Sequence, residues 1–83
     1  MPYFVYLLKC KDSDYYTGIT TNVHRRLKEH LTGENKSTKY KRPLKLVFYA
    51  CFPNKKLAAD FEQYLKSNSG RSFRNKHLVF SLE

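Results

Sequence analysis

The segment YFVYLLKC, residues 3–10, is apolar on both of its alternating faces. A strand with one face in water alternates apolar and polar side chains. An unbroken apolar run therefore belongs inside a sheet that is covered on both sides. In a chain of 83 residues this requirement shapes most of the architecture, since the remaining segments must supply both the neighbouring strands and the cover.

Those segments can be read in order. KDSD is turn chemistry, and YYTGIT, residues 15–20, is a second strand closing a hairpin with the first. Gly18 inside that strand predicts a bulge or a close backbone approach. Thr21 or Asn22 caps a helix that Gly33 ends, and at 100° per residue Val23, Leu27 and Leu31 form its inward stripe. ENKSTKYKRP, residues 34–43, is a basic polar loop, and LKLVFYACF, residues 44–52, is a third strand. Asn54 caps a second helix, with Leu57, Ala58, Phe61, Tyr64 and Leu65 facing inward and Glu62 at the rim of that face. SNSG breaks it, and residues 71–82 form a short last helix with Phe73, His77 and Phe80 on one side. The order ββαβαα predicts a small α/β (α+β) fold, a three-stranded antiparallel sheet flanked by helices, as a single domain over residues 1–83.

One feature of the first helix does not suit packing alone. Arg26 and His30, four residues apart, lie along the edge of the apolar stripe, while His24, Arg25, Lys28 and Glu29 point elsewhere. Charge adds to this. Sixteen Lys and Arg against seven Asp and Glu leave +9 on a small body, a field that attracts polyanions. No apolar run approaches the ~20 residues that span a bilayer, and no segment has the amphipathic pattern of a membrane-surface helix. PYFVYLL has no basic region before it and no small-residue cleavage site after it, so it reads as a strand and not a signal peptide. Cys10 and Cys51 lack metal-ligand spacing and read as buried free thiols of a cytoplasmic protein.

VYL (Val5, Tyr6, Leu7), followed ten residues later by YTG (Tyr16, Thr17, Gly18), resembles the paired signature of the GIY-YIG nuclease superfamily. Arg26 stands eight residues past Gly18, where that family carries its arginine, and His30 stands where members carry a histidine or tyrosine. Glu62 matches the metal-binding glutamate and Asn75 the later asparagine. TGIT, RRLKEH, STKYKRP and YLKS followed by GR are similar to the short stand-alone proteins that resemble the N-terminal domain of the excinuclease ABC C subunit. Two departures stand out. The first triplet lacks its glycine, and Ile19 occupies the position after Gly18 where the excinuclease domain has a lysine, removing a candidate base or phosphate contact. The resemblance implies a DNA endonuclease serving repair or processing, with Tyr6 orienting or activating a water and Tyr16 or His30 in support.

The residue types agree with that chemistry. Phosphodiester hydrolysis needs an attacking water, a cation at the phosphate and help for the leaving oxygen. The acids are Asp12, Asp14, Glu29, Glu34, Asp60, Glu62 and Glu83. Asp60 and Glu62 are two apart on a helix and do not face the same way, so no carboxylate cluster for a two-metal site emerges. A single Mg²⁺ (or Mn²⁺) held by Glu62 and waters is the economical arrangement, and no small-molecule cofactor is called for. Arg26 offers a planar fork for phosphate oxygens, and His30 titrates near neutrality. Tyr6 and Tyr16 are poor bases unless a cation lowers their pKa.

Taken singly, each residue has a plainer explanation. The tyrosines read as cross-strand packing, Arg26 as a snorkelling surface residue, His30 as a satisfied core histidine, Glu62 as a solvated helix residue and Asn75 as a cap. Joint spacing is what selects a site. Lys36, Lys39, Lys41 and Arg42 are either a solvated run or contacts to phosphates. The expected partner is DNA, with RNA open. The alternatives from other classes are a non-catalytic nucleic-acid-binding module on the same fold and a protein-interaction domain.

Overall fold

The structure, a computed structural model, describes residues 2–78. The chain runs through β1 (Tyr3–Lys9), β2 (Tyr15–Thr20), α1 (Val23–Thr32), a 3₁₀ turn at Lys39–Lys41, β3 (Lys45–Phe52), α2 (Lys55–Lys66), α3 (Asn68–Phe73) and a π-helical turn at Arg74–Leu78. The three strands form an antiparallel sheet in the order β2-β1-β3. The apolar strand β1 is the central one, as its two-sided pattern requires. Val5, Leu7 and Leu8 have no exposed surface, and Tyr6 has almost none.

The side chains of β1 divide the core in two. Tyr6, Leu8 and Cys10 cluster with Leu44, and Leu27 of α1 packs against them together with Tyr16 and Leu46. Val5 clusters with Ala58 and Leu65 of α2, joined by Tyr3, Ile19, Phe52 and Phe61. Fully burying a leucine or valine contributes roughly 1.5–3 kcal/mol, so β1 supplies much of the cohesion of both layers. A bulge interrupts the β1–β3 ladder between Leu7, opposite Phe48, and Leu8, opposite Leu46.

Helix ends follow local chemistry. The Asn22 side chain accepts from the Arg25 N–H at 2.9 Å, and the Asn54 side chain from the Leu57 N–H at 3.0 Å. Gly33, at φ 83°, closes α1 in a Schellman arrangement, with the Glu34 N–H donating to the Glu29 carbonyl and the Gly33 N–H to that of His30.

Several expectations need correction. Leu31 is 48% exposed, so the inward stripe of α1 gives out at its last position, and the residue that α1 buries completely is His30. Leu57 and Tyr64 are exposed, leaving Ala58, Leu65 and the half-buried Phe61 as the packed face of α2. Cys51 is exposed, on the edge strand β3. SNSG is a corner between two helices: Ser67 ends α2 and caps α3, its hydroxyl accepting from the Gly70 N–H at 3.1 Å. Gly70 is buried within α3, where a Cβ would overlap the Tyr64 carbonyl. The last helix thus starts at Asn68 and passes into the π turn. Phe73 is partly exposed, and Phe80 lies outside the described residues.

Replacing Gly70 by alanine should force α3 off the end of α2. The expected loss is on the order of 1–3 kcal/mol, the usual cost of overpacking, read by chemical denaturation. Unchanged stability would mean that the two helices can separate freely at this corner.

Candidate active site

The site is built around Tyr6, a polar side chain on a strand that leaves it almost no exposed surface. Tyr6 stands opposite Gly18 of β2 and Tyr49 of β3. Its ring lies against Gly18, where any Cβ would overlap the phenol. The sequence expectation of a close approach at this glycine is met, and the approaching group is a side chain. The Tyr6 hydroxyl reaches His30 Nε2 at 2.8 Å, and His30 Nδ1 lies 2.6 Å from Thr38 Oγ1. His30 and Thr38 are fully buried. Tyr16 completes the group: its ring centroid is 5.2 Å from that of His30 and 6.3 Å from that of Tyr6.

The Arg26 guanidinium lies close enough to the Tyr6 hydroxyl to lower its pKa. A neutral phenol can donate to His30 Nε2 when the imidazole carries its proton on Nδ1, facing Thr38 Oγ1. Electrostatics favour the same state. Burial pushes the Tyr6 phenol up to about 12, with Arg26 lowering it and Tyr16 and Glu62 raising it further. Burial, and then the Arg26 charge, hold His30 below the usual imidazole range. At neutral pH the pair is a neutral phenol hydrogen-bonded to a neutral imidazole.

Arg26 has a carboxylate partner on its own helix. One guanidinium nitrogen donates to Glu29 Oε1 at 2.9 Å, and Arg25 Nε lies 3.9 Å from the other oxygen. Glu29 therefore turns back toward Arg26, contrary to the reading that placed it on another face. The Arg26 side chain remains 38% exposed, so part of its fork is open to an incoming anion.

Glu62 arrives from α2, the helix on the other side of the sheet. Its side chain is mostly buried, lies 3.4 Å from Lys66 Nζ, and is close enough to raise the pKa of Tyr6. Asp60, two residues earlier, is exposed and pairs with Lys56 at 2.9 Å, so the two carboxylates do diverge. Among the described residues no three His, Cys, Asp or Glu side chains gather into a metal cluster.

Other expected residues lie apart. Val5 and Leu7 are buried structural members of β1. Ile19 packs into the α2-side cluster, which explains an apolar residue there. Asn75 is exposed on the π turn and accepts from Arg74 Nε at 3.1 Å, with no contact to the Tyr6 group. The basic loop divides. Lys41 lies 3.8 Å from Asp14, and Arg42 Nε donates to the Lys39 carbonyl at 3.1 Å, whereas the side chains of Lys36 and Lys39 project into solvent.

Two contributions were missed by sequence reasoning. Thr38, in a loop without periodicity, gave no signal beyond its place in STKYKRP. Arg71 and Arg74 join Lys66, Tyr15 and Tyr16 around a pocket of about 260 Å³, with Arg74 stacked 4.8 Å from the Tyr15 ring centroid. Only the folding of α3 and its π turn against β2 creates that neighbourhood.

The pattern of the GIY-YIG catalytic domain matches residues 2–76. The chain is 43% identical over 72 residues to the UPF0213 protein BH0048 of Halalkalibacterium halodurans, covering 86% of this chain and 77% of that protein. It is 42% identical over 65 residues to the UPF0213 protein YazA of Bacillus subtilis, covering 77% of this chain and 66% of that one. A solution NMR structure of BH0048 aligns with a TM-score of 0.58 over 92% of this chain and 82% of that one. The solution NMR structure of EF2693 from E. faecalis gives the same TM-score at 26% identity, over 100% of this chain and 94% of that one. A sequence pattern that spans both core layers, carried on a fold shared with these relatives, makes the conclusion plain: the chain belongs to the GIY-YIG family.

Proposed function

We propose that this protein is a Mg²⁺-dependent endonuclease that hydrolyses DNA phosphodiester bonds. The observation that carries this reading is the buried hydrogen bond between the Tyr6 hydroxyl and His30, with Arg26 close enough to lower the pKa of the phenol. A phenol whose pKa is about 12 is a poor base by itself. Paired to a neutral imidazole it can take the proton of an attacking water while passing its own to His30 Nε2, so no free phenolate has to form. The water oxygen then bonds to phosphorus as the ester P–O bond breaks. Thr38 Oγ1, 2.6 Å from His30 Nδ1, can accept the Nδ1 proton in the tautomer this transfer requires. Tyr16 keeps the imidazole in place by packing against it.

Arg26 exchanges Glu29 for a phosphate oxygen and offers its fork to the negative charge that grows there. Glu62 fits a Mg²⁺ (or Mn²⁺) site of one carboxylate completed by waters, being a hard oxygen donor held near Tyr6. When bound, such a cation offsets charge on the phosphate and on the leaving oxygen. The net charge of +9 supports a polyanionic substrate, and the excinuclease-like sequence supports DNA repair or processing as the setting.

Glu62→Gln should abolish Mg²⁺-dependent cleavage while DNA binding persists, measured by gel assay and anisotropy. Full cleavage by this variant would remove Glu62 from the metal site. A wild-type protein that binds DNA but cuts none would favour the non-catalytic alternative.

Arg26→Ala should lower the cleavage rate by on the order of 10²-fold, as loss of one transition-state donor does. Arg26→Lys should restore little, because lysine lacks the bidentate fork. Near-full rescue would reduce Arg26 to a point charge.

The pH profile has a defined sign. Only neutral His30 accepts the Tyr6 proton, and its pKa is lowered from 6.5, so the acid limb should fall below pH 6.5. Removing the Arg26 charge makes His30 easier to protonate, and the limb of Arg26→Ala should move to higher pH. A limb that stays in place would uncouple Arg26 from His30.

A further inference from the structure

Away from the Tyr6 group, the loop between α1 and β3 forms the wall of an open groove of about 600 Å³. Lys11, Leu31, Lys39, Tyr40, Arg42 and Pro43 line it, and among the described residues no acidic side chain does. Tyr40 is 79% exposed, an unusual state for an aromatic ring that packing alone would bury. The Lys39 ammonium lies 5.5 Å from its ring centroid. Leu31 and Pro43 give the groove an apolar floor beside that ring. The backbone around the groove is fastened: the Lys11 N–H donates to the Lys41 carbonyl at 3.0 Å, and Arg42 is held through its bond to Lys39. Of the acids near the loop, Asp14 is engaged with Lys41 and Glu34 accepts from the Thr32 hydroxyl.

An exposed aromatic ring in a groove lined by three cations matches the chemistry of an unpaired nucleotide, whose base seeks a stacking surface and whose phosphates seek positive charge. Duplex bases are stacked on each other and offer no face to such a ring. We propose that this groove binds unpaired nucleotides of a DNA strand, with a base on Tyr40 and flanking phosphates on Lys11, Lys39 and Arg42. The groove directs the enzyme to single-stranded or flapped substrates, a step that rests on the nuclease reading. The same loop joins the two regions, because Thr38, immediately before the turn that carries Tyr40, is the partner of His30. A strand held in the groove is thus anchored on the loop that positions the imidazole.

The test is equilibrium binding in EDTA, where no cleavage occurs, using a short oligo(dT) strand, an abasic strand of equal length and a blunt duplex. Tyr40→Ala should weaken oligo(dT) binding by roughly 10-fold, the usual effect of losing one stacked base. Tyr40→Phe should stay within about twofold of wild type, since it keeps the stacking face. The abasic strand and the duplex should not distinguish Tyr40→Ala from wild type. Lys39→Ala should lower the log–log salt slope for oligo(dT) by about 0.7, one single-strand phosphate contact. An equal loss on duplex and single strand, or no loss on either, would overturn the proposal, as would absence of oligo(dT) binding by the wild type. Because binding is read without metal, failed cleavage leaves this result intact. Conversely, Mg²⁺-dependent cutting of duplex by a protein indifferent to Tyr40 would retain the nuclease reading and discard the groove.

Discussion

A tyrosine on a strand buried from both sides must find its hydrogen-bond partner inside the protein. Tyr6 is in that position, and its partner is His30. The cost of leaving a hydroxyl unpaired in a core is about 1–3 kcal/mol, and an unpaired imidazole nitrogen adds to it. Tyr6, His30 and Thr38 satisfy one another in series, and among the described residues no buried side-chain polar atom lacks a partner. This chain of contacts runs from the central strand to the first helix and on to the loop beyond. It explains why α1 buries a histidine in place of Leu31, and why Gly18 has no side chain where the phenol must lie.

The same burial that binds the layers together sets the protonation states. Desolvation raises the phenol and lowers the imidazole, so both are neutral at pH 7. Arg26 supplies the charge that biases this pair, and at rest Glu29 balances it. Glu62 acts on the phenol from the opposite layer. The central strand therefore brings influences from two helices that barely meet each other to a single hydroxyl.

Positive charge is divided between structural and available groups. Lys41 is engaged with Asp14, whereas Arg42, held at the Lys39 carbonyl through Nε, and Lys39, beside the exposed ring of Tyr40, both line the groove. Arg74 rests on Tyr15 at the other edge of the sheet. Among the described residues no helix is long and apolar enough to cross a membrane, and the cations flank aromatic surfaces on two sides of the domain.

The apolar run of β1, the turn at KDSD, the caps Asn22 and Asn54 and the closing Gly33 were legible because each depends on nearest neighbours or on a simple period. The ββαβαα order and the central place of β1 followed from them. The spacing of Tyr6, Tyr16, Arg26, His30 and Glu62 marked the candidate site through its resemblance to the GIY-YIG signature. Other features depended on contacts between segments distant in sequence. Thr38 meets His30 because a loop without periodicity folds over α1, and Gly70 sits inside a helix because two helices meet at Ser67. Leu31, Leu57 and Tyr64 fit the apolar stripes yet face water, since a short sheet covers only part of each helix. Local pattern determined which elements form and which faces turn inward. Tertiary packing decided which inward-facing groups meet, because desolvation and hydrogen-bond geometry act over a few ångströms of space irrespective of separation along the chain.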